Sequence, residues 1–317
     1  MCDLENPQNP PGSDTRSGYV TLVGRPNAGK STLLNAFVGE RLSIVTPKAQ
    51  TTWQRVTGIL TTPRAQMIFL DTPGLLEPKD LLQRAMLGAA KDALAEADLI
   101  LLVVDSSRPP SPEERLIIAD SLSERPPVPL LSAVNKTDLA QEEAVPVLSR
   151  WLEEELGGEA FPTSALDGTG VEELKDRLEG LLPPGPFLYP EDEIARDPVR
   201  FFVAEMIRET VFQDFRQEIP YSVFCQIEEF RESQDPVYIQ AHLFVERNSQ
   251  KRILIGKGGS SIRELGARSR EKIEAFLERS VYLDLWIKVL PDWRRKRGHL
   301  KRLGFSVPPE ERAREGH

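Results

Sequence analysis

The chain has 317 residues, 28% of them charged, and a formal net charge of −9 from 40 basic and 49 acidic side chains. That balance argues against a protein that coats nucleic acid along its whole length, and two cysteines, Cys2 and Cys225, suit a reducing compartment. No run of eighteen apolar residues and no signal-peptide pattern is present, so a soluble, cytoplasmic chain of two domains is expected.

Residues 1–16 are rich in Pro and Asn and read as a disordered extension. A first domain is expected over 17–183. It opens with a β-prone run, Tyr19-Val20-Thr21-Leu22-Val23, then Gly24-Arg25-Pro26-Asn27-Ala28-Gly29-Lys30-Ser31, then a helix start at Thr32-Leu33-Leu34. This is G-x-x-x-x-G-K-[ST] in its required strand–loop–helix setting, where loop amides converge on phosphate at a helix N-terminus. Gly24 and Gly29 allow close backbone approach, Lys30 reaches the β- and γ-phosphates, and the Ser31 hydroxyl ligates Mg²⁺.

Downstream, the segment Val45 to Trp53 should carry a hydroxyl that closes over the metal and the γ-phosphate. Thr52 is the choice for that ligand, with Thr51 the alternative. A buried strand at Ile68-Phe69-Leu70 delivers Asp71-Thr72-Pro73-Gly74, in which Asp71 holds Mg²⁺ through water and the Gly74 amide senses the γ-phosphate. The next residue, Leu75, has no donor or acceptor with which to orient an attacking water, so intrinsic hydrolysis should be slow. Asn27 offers either an oxygen for a monovalent cation, K⁺, beside the phosphates or a loop-stabilising Asx turn.

Two further buried strands, Leu99 to Val104 and Val128 to Val134, lead to Asp105 and to Asn135-Lys136-Thr137-Asp138. A carboxylate at Asp138 accepts from N1 and the exocyclic amine of guanine. Adenine would leave it unpaired, a penalty of about 1–3 kcal/mol. Asn135 and the Lys136 stem would flank the base, and Ser164-Ala165-Leu166 would supply an amide for the guanine O6. The ordered set specifies GTP and GDP. Hydrolysis would be phosphoryl transfer to water, with Lys30, Ser31, Thr52 and Gly74 grouped around the developing charge.

Pro183-Pro184-Gly185-Pro186 and the acidic stretch after it mark a linker over 184–198. A second domain over 199–293 reads as a helix from Val199 to Phe215, strands at Tyr221 to Phe230 and Val237 to Glu246, a further helix, a G-x-x-G loop, an amphipathic helix, and a strand from Val281 to Val289. This order fits a type II KH domain, whose G-x-x-G loop clamps single-stranded backbone. Lys251, Arg252, Ile255, Gly256, Lys257, Gly258, Gly259, Ser260 and Arg263 are the candidate RNA contacts. From Arg247 to Arg302 there are sixteen Lys/Arg against six Asp/Glu, so this stretch is strongly basic inside an acidic chain. Residues 294–317 read as a basic C-terminal tail, which contacts RNA or anionic lipid unless it is simply a solvated tail. The expected fold class is therefore an α/β P-loop GTPase domain, with a mostly parallel sheet and helices on both faces, followed by an α+β KH type II domain.

The sequence closely resembles the bacterial Era family of GTPases from about Ser17 to Gly304. Gly24 to Ser31, Lys48-Ala49-Gln50-Thr51-Thr52, Asp71 to Leu75 and Asn135 to Asp138 carry the resemblance. Pro220-Tyr221-Ser222-Val223, Ile255 to Gly259 and Leu285-Trp286-Ile287-Lys288-Val289 extend it into the second domain. The resemblance implies a monomeric, GTP-switched factor that binds the 3′ end of small-subunit ribosomal RNA during maturation of the small ribosomal subunit. It also implies weak peripheral association with the inner face of the cell membrane. One departure is Trp53, which follows the Thr pair where the family pattern leads one to expect a basic residue. Relatives that share the G motifs but modify tRNA or mature hydrogenases fit less well, since the chain adds a KH signature and lacks a C-terminal reactive Cys motif.

Overall fold

The computed structural model describes residues 15–46 and 48–309. The first domain is built on β1 (Arg16–Gly24), α1 (Lys30–Val38), β2 (Val56–Thr61), β3 (Ala65–Asp71), α2 (Leu81–Ala95), β4 (Leu99–Asp105), α3 (Pro112–Ser123), β5 (Leu130–Asn135), α4 (Ala144–Trp151), β6 (Glu159–Pro162) and α5 (Val171–Leu181). Its sheet has six strands in the order β2-β3-β1-β4-β5-β6; only the β2–β3 pair is antiparallel. The pleat explains why β4 is apolar without interruption. Leu99, Leu101 and Val103 face α1 and α5, where they join Leu33, Leu34, Leu174 and Leu178. Ile100, Leu102 and Val104 face the other way, against Ala90, Ile118, Leu122 and Leu148 of α2, α3 and α4. Phosphate loop, Asp71, Asp105 and Asn135 all fall at the C-terminal ends of parallel strands, so one sheet edge gathers the motifs.

The second domain follows as α6 (Val199–Asp214), α7 (Ile219–Ser222), β7 (Phe224–Arg231), β8 (Val237–Val245), α8 (Asn248–Ile255), α9 (Ser260–Leu277), β9 (Val281–Val289) and α10 (Arg297–Arg302). Its three-stranded sheet runs β7-β8-β9, antiparallel then parallel, which is the type II KH order. Val203, Ile207 and Val211 of α6, Leu254 of α8, and Leu265 and Ile273 of α9 cover one sheet face. Cys225 lies in this core, where burial pushes its thiol pKa far up, so it is a packing residue.

Three boundaries differ from expectation, and the linker proves to be packed. The extension assigned to 1–16 lies outside the described residues up to 14, but Arg16 opens β1 and donates its amide to the Arg64 carbonyl. Tyr221 is not in a strand: Pro220 suits the start of a short helix because it lacks the amide such a position leaves unbonded, and Phe224 begins the strand. The linker over 184–198 is held to the first domain rather than loose. Gln66 bonds the backbone of Leu188 and Tyr189, and Asp197 accepts the Thr57 amide at 2.9 Å. Finally, the segment read as a tail from 294 continues the folded structure through α10. Trp293 and Leu300 are fully buried, and with Leu303 and Phe305 they pack on Leu82, Ala85 and Met86 of α2. Arg294 pairs with Asp80 at 2.6 Å. Apolar residues spaced among the basic ones carry this docking; the charge count alone concealed it.

Candidate functional site

Gly24 ends β1 at φ 146°, and a Cβ there would fall 2.2 Å from the Val103 carbonyl oxygen. Gly29 starts α1 at φ 99°, and a Cβ would meet the Asn135 amide nitrogen at 2.1 Å. No side chain caps α1, which leaves its first amides directed at the loop's hollow, as an anion site requires. Pro26, Asn27, Gly29, Lys30, Ser31, Thr32, Thr51, Thr52 and Gly74 line this cleft. Ala28 is buried behind it, and Arg25 pairs with Glu114 beside it.

Lys30 is buried, its Nζ donating to the carbonyls of Gly24 (3.2 Å) and Arg25 (3.1 Å). Burial lowers its pKa to about 8, against the opposing pull of Asp71. Phosphate is attracted to the protonated amine and raises its pKa in the complex. Triphosphate affinity should therefore be steady below pH about 8 and fall as pH rises through it, by up to about tenfold per unit. Calorimetric titration between about pH 7 and 9 checks this, with Lys30→Arg as the control that shares the titration of guanine itself. A profile as flat as that of the arginine variant would refute it.

Three hydroxyls converge on Asp71. Ser31 Oγ donates to Asp71 Oδ2 at 2.6 Å and lies 3.1 Å from Thr52 Oγ1, and Ser43 Oγ donates to the same Oδ2 at 3.0 Å. Burial raises the Asp71 carboxyl pKa, while Lys30 and these hydroxyls act to lower it. The other oxygen, Oδ1, is buried without a hydrogen-bond partner among the described residues. A carboxylate with one uncommitted oxygen beside two alcohol oxygens is a hard-oxygen set, which fits Mg²⁺. Thr52, not Thr51, presents its hydroxyl here; the Thr51 carbonyl is turned to Arg208. Ser43 was invisible in the sequence, since no motif surrounds it and only folding brings it to Asp71.

Gly74 sits against the phosphate loop so closely that a Cβ would lie 2.5 Å from the Pro26 nitrogen. The Thr72 hydroxyl donates to the Leu22 carbonyl at 2.7 Å and fixes the turn that carries Pro73. Leu75 is 2% exposed and packs with Val23, Ala90 and Leu94, so its side chain points away from the cleft into the core.

At the base-binding end, Asn135 has a structural tie in addition to its expected place beside the base. It is 1% exposed, donates to the Ala28 carbonyl at 2.9 Å and accepts the Ala165 amide at 3.0 Å, tying the phosphate loop to the Ser164-Ala165-Leu166 loop. Lys136, in a left-handed turn at φ 64°, stretches across the site, its Nζ reaching the Asn27 carbonyl (2.7 Å) and Asp105 Oδ2 (2.6 Å). The Thr137 amide donates to the Thr163 carbonyl at 3.1 Å, and the exposed Asp138 accepts the Ser164 hydroxyl at 2.7 Å. Asn27 itself is exposed at φ 64°, a conformation asparagine tolerates, and its side chain makes no hydrogen bond among the described residues.

In the second domain, Gly256 and Gly258 take φ 72° and 60°, and Gly259 starts α9 at φ 79°. A Cβ at Gly256 would collide with Ser261 at 2.2 Å, whereas Gly258 and Gly259 have open space around them. Arg252, Lys257, Ser260 and Arg263 are exposed around this loop, with Lys251 and Ile255 half-buried beside them. β9 is the adjoining free edge of the sheet.

The family model described as 50S ribosome-binding GTPase matches residues 19–136, and the KH domain model matches 218–294. The GTPase Era of Heliobacterium modesticaldum is 42% identical over 296 residues, which cover 93% of this chain and 99% of that protein. Its counterpart from Carboxydothermus hydrogenoformans is 42% identical over 294 residues, covering 92% and 98%. Among solved structures, an Aquifex aeolicus Era variant bound to GDP·AlF4⁻ matches at 37% identity and TM-score 0.87, covering 92% of this chain and all of that one (100%). An Era complex with MgGDPNP and nucleotides 1506–1542 of 16S ribosomal RNA matches at 38% identity and TM-score 0.87, with the same 92% and 100% covered.

Proposed function

The chain belongs to the Era family of GTPases, and from that premise we propose that it is a GTP-hydrolysing switch acting on the 3′ end of small-subunit ribosomal RNA in small-subunit maturation. One observation carries this reading. A phosphate and guanine site and an open, cationic G-x-x-G loop occur in one chain, folded as in a relative that holds MgGDPNP and a 16S ribosomal RNA segment together.

In this reading Ser31 and Thr52 bind Mg²⁺ directly and Asp71 binds it through water; the ion's contribution is to neutralise charge on the phosphate oxygens. Lys30 and the amides of Asn27 to Thr32 hold the β- and γ-phosphates, and the Gly74 amide faces the γ-phosphate. Lys136 covers the base, and Asp138 reads its N1 and amine. The buried Leu75 leaves ordering of the attacking water to backbone, a cation or bound RNA. K⁺ seated by Asn27 is the cation we favour.

The RNA clamp comprises Lys251, Arg252, Ile255, Gly256, Lys257, Gly258, Gly259, Ser260 and Arg263. The chain would act as a monomer in the cytoplasm. Exposed Arg295, Lys296, Lys301 and Arg302 support weak peripheral contact with the anionic inner membrane face. None of the described helices is long and apolar enough to cross a membrane.

The test is a double substitution, Lys257→Asp with Gly258→Asp. Close approach of phosphate then meets two carboxylates, and the left-handed turn at Gly258 is disfavoured as well. Filter binding to the 3′-terminal ribosomal RNA should fall by about a hundredfold or more, with GTP affinity unchanged. Undiminished RNA binding would show that this loop is not the clamp, and equal binding of a scrambled RNA by the unaltered protein would remove the ribosomal assignment.

A further inference from the structure

The loop from Arg41 to Trp53 belongs to the GTPase domain by sequence, yet α6 of the KH domain holds it. Arg41 pairs with Glu209, and Lys48 Nζ donates to the carbonyls of Phe212 and Phe215 at the end of α6. The third tie lies beside the metal cluster. Arg208 of α6, with its side chain 4% exposed, donates from Nη2 to the Thr51 carbonyl at 2.9 Å and from Nη1 to Glu205. Its guanidinium lies over the Trp53 ring, 4.1 Å from the centroid. Trp53 is itself fixed from behind by Trp293 (5.7 Å) and Phe224 (6.4 Å). Where the family pattern suggests a basic residue after the Thr pair, this chain has an aromatic ring, and the cation above it comes from the other domain.

We infer that Arg208 is a positioning residue for GTP hydrolysis: it grips Thr51 and Trp53 on either side of Thr52, and so makes placement of the Thr52 hydroxyl depend on where the KH domain sits. The inference rests on Thr52 being the metal ligand. A residue held through the carbonyl before it and the ring after it has little freedom to turn its hydroxyl from Ser31 and Asp71. Movement of Thr52 away from the cluster would also strip Arg208 of the carbonyl and the Trp53 ring, leaving a buried cation with only Glu205 and the more distant Phe212 ring (5.8 Å) of its own helix. Loop departure and displacement of α6 are thereby linked, and the linkage is reciprocal. Whatever fixes α6, such as RNA on the KH loop, favours the closed Thr52, and a closed Thr52 favours that α6 position.

Arg208→Ala and Arg208→Met test this in the full chain, the second filling the space over Trp53 without charge or hydrogen bond. In both, the Mg²⁺ concentration for half-maximal GTP turnover should rise about tenfold and kcat fall about tenfold, each equivalent to about 1.4 kcal/mol. GDP affinity should stay within about twofold, since GDP has no γ-phosphate for the loop to close on. Arg208→Lys should recover part of both losses. A merely structural role would lower the melting temperature without moving the Mg²⁺ requirement. Wild-type Mg²⁺ dependence and kcat in a folded Met or Ala variant would overturn the inference, and Met carries the test if Ala does not fold. Thr52→Ala separates the premise from the inference. If it leaves the Mg²⁺ requirement unchanged, the ligand reading fails and the role of Arg208 falls with it. If it raises the requirement while both Arg208 variants do not, only the role of Arg208 is lost.

Discussion

Asp138→Asn is expected to weaken GTP binding about 5- to 150-fold, the equivalent of about 1–3 kcal/mol for an N–H pair left without its acceptor. The same change should admit xanthosine triphosphate, whose C2 carries a carbonyl in place of the amine. Ser164 decides why the exchange should work. Its hydroxyl donates to Asp138 Oδ1 at 2.7 Å. An asparagine with its oxygen toward Ser164 keeps that bond and turns its amide nitrogen to the base edge, where it donates to the xanthine carbonyl; in the reverse orientation Ser164 Oγ would have to accept a second N–H besides that of Asp167. Adding Ser164→Ala to Asp138→Asn should therefore erode the preference for xanthine, because the amide can then flip. Competition binding with GTP, xanthosine triphosphate and ATP measures all of this. Unchanged GTP affinity with no gain for the xanthine nucleotide would refute the base-reading role of Asp138.

The phosphate loop was legible because the chemistry of its motif is confined to consecutive residues. G-x-x-x-x-G-K-[ST] fixes a turn, a cation and a hydroxyl within eight positions, and the glycine geometry at 24 and 29 is what such a turn demands. The KH order was legible for a related reason: alternation in Val281 to Val289 and helical spacing after Gly259 each declare their element. What stayed hidden depends on contacts remote in sequence. Ser43 reaches Asp71 across 28 positions, and Arg208 reaches Thr51 across 157. Asn135 lies within its motif, yet its tie between two loops was hidden, because only the folded chain shows Ala28 and Ala165 converging on its amide. Docking of the C-terminal segment was obscured by composition. Basic residues dominate the count from Arg294 to Arg302, while Leu300, Leu303 and Phe305, with Trp293 ahead of them, determine where it packs.

Hydrolysis is expected to be slow in Na⁺, faster in K⁺, and faster again with the 3′-terminal ribosomal RNA. Leu75 is buried in the core, so the group that orients water in other GTPases is missing from the cleft. Asn27 stands exposed on the phosphate loop, with its backbone oxygen held by Lys136 and its side chain directed by a left-handed turn. A side-chain oxygen there can share a K⁺ with the phosphates, placing charge where an arginine finger would otherwise act. Na⁺ is smaller and holds its water more tightly, so it should substitute poorly. RNA is expected to enter by a different route: by fixing the KH domain it would fix α6, and through it the loop that carries Thr52. Each contribution of about 1.4 kcal/mol to the barrier is tenfold in rate, and the two should multiply because they act on different parts of the site. Asn27→Ala should erase the K⁺ advantage while changing GTP affinity by less than about threefold, and it should leave the stimulation by RNA intact. Equal turnover in the two salts would remove the cation from the mechanism. Loss of RNA stimulation together with the K⁺ effect in Asn27→Ala would mean that RNA acts through the phosphate loop, and the route through α6 would have to be given up.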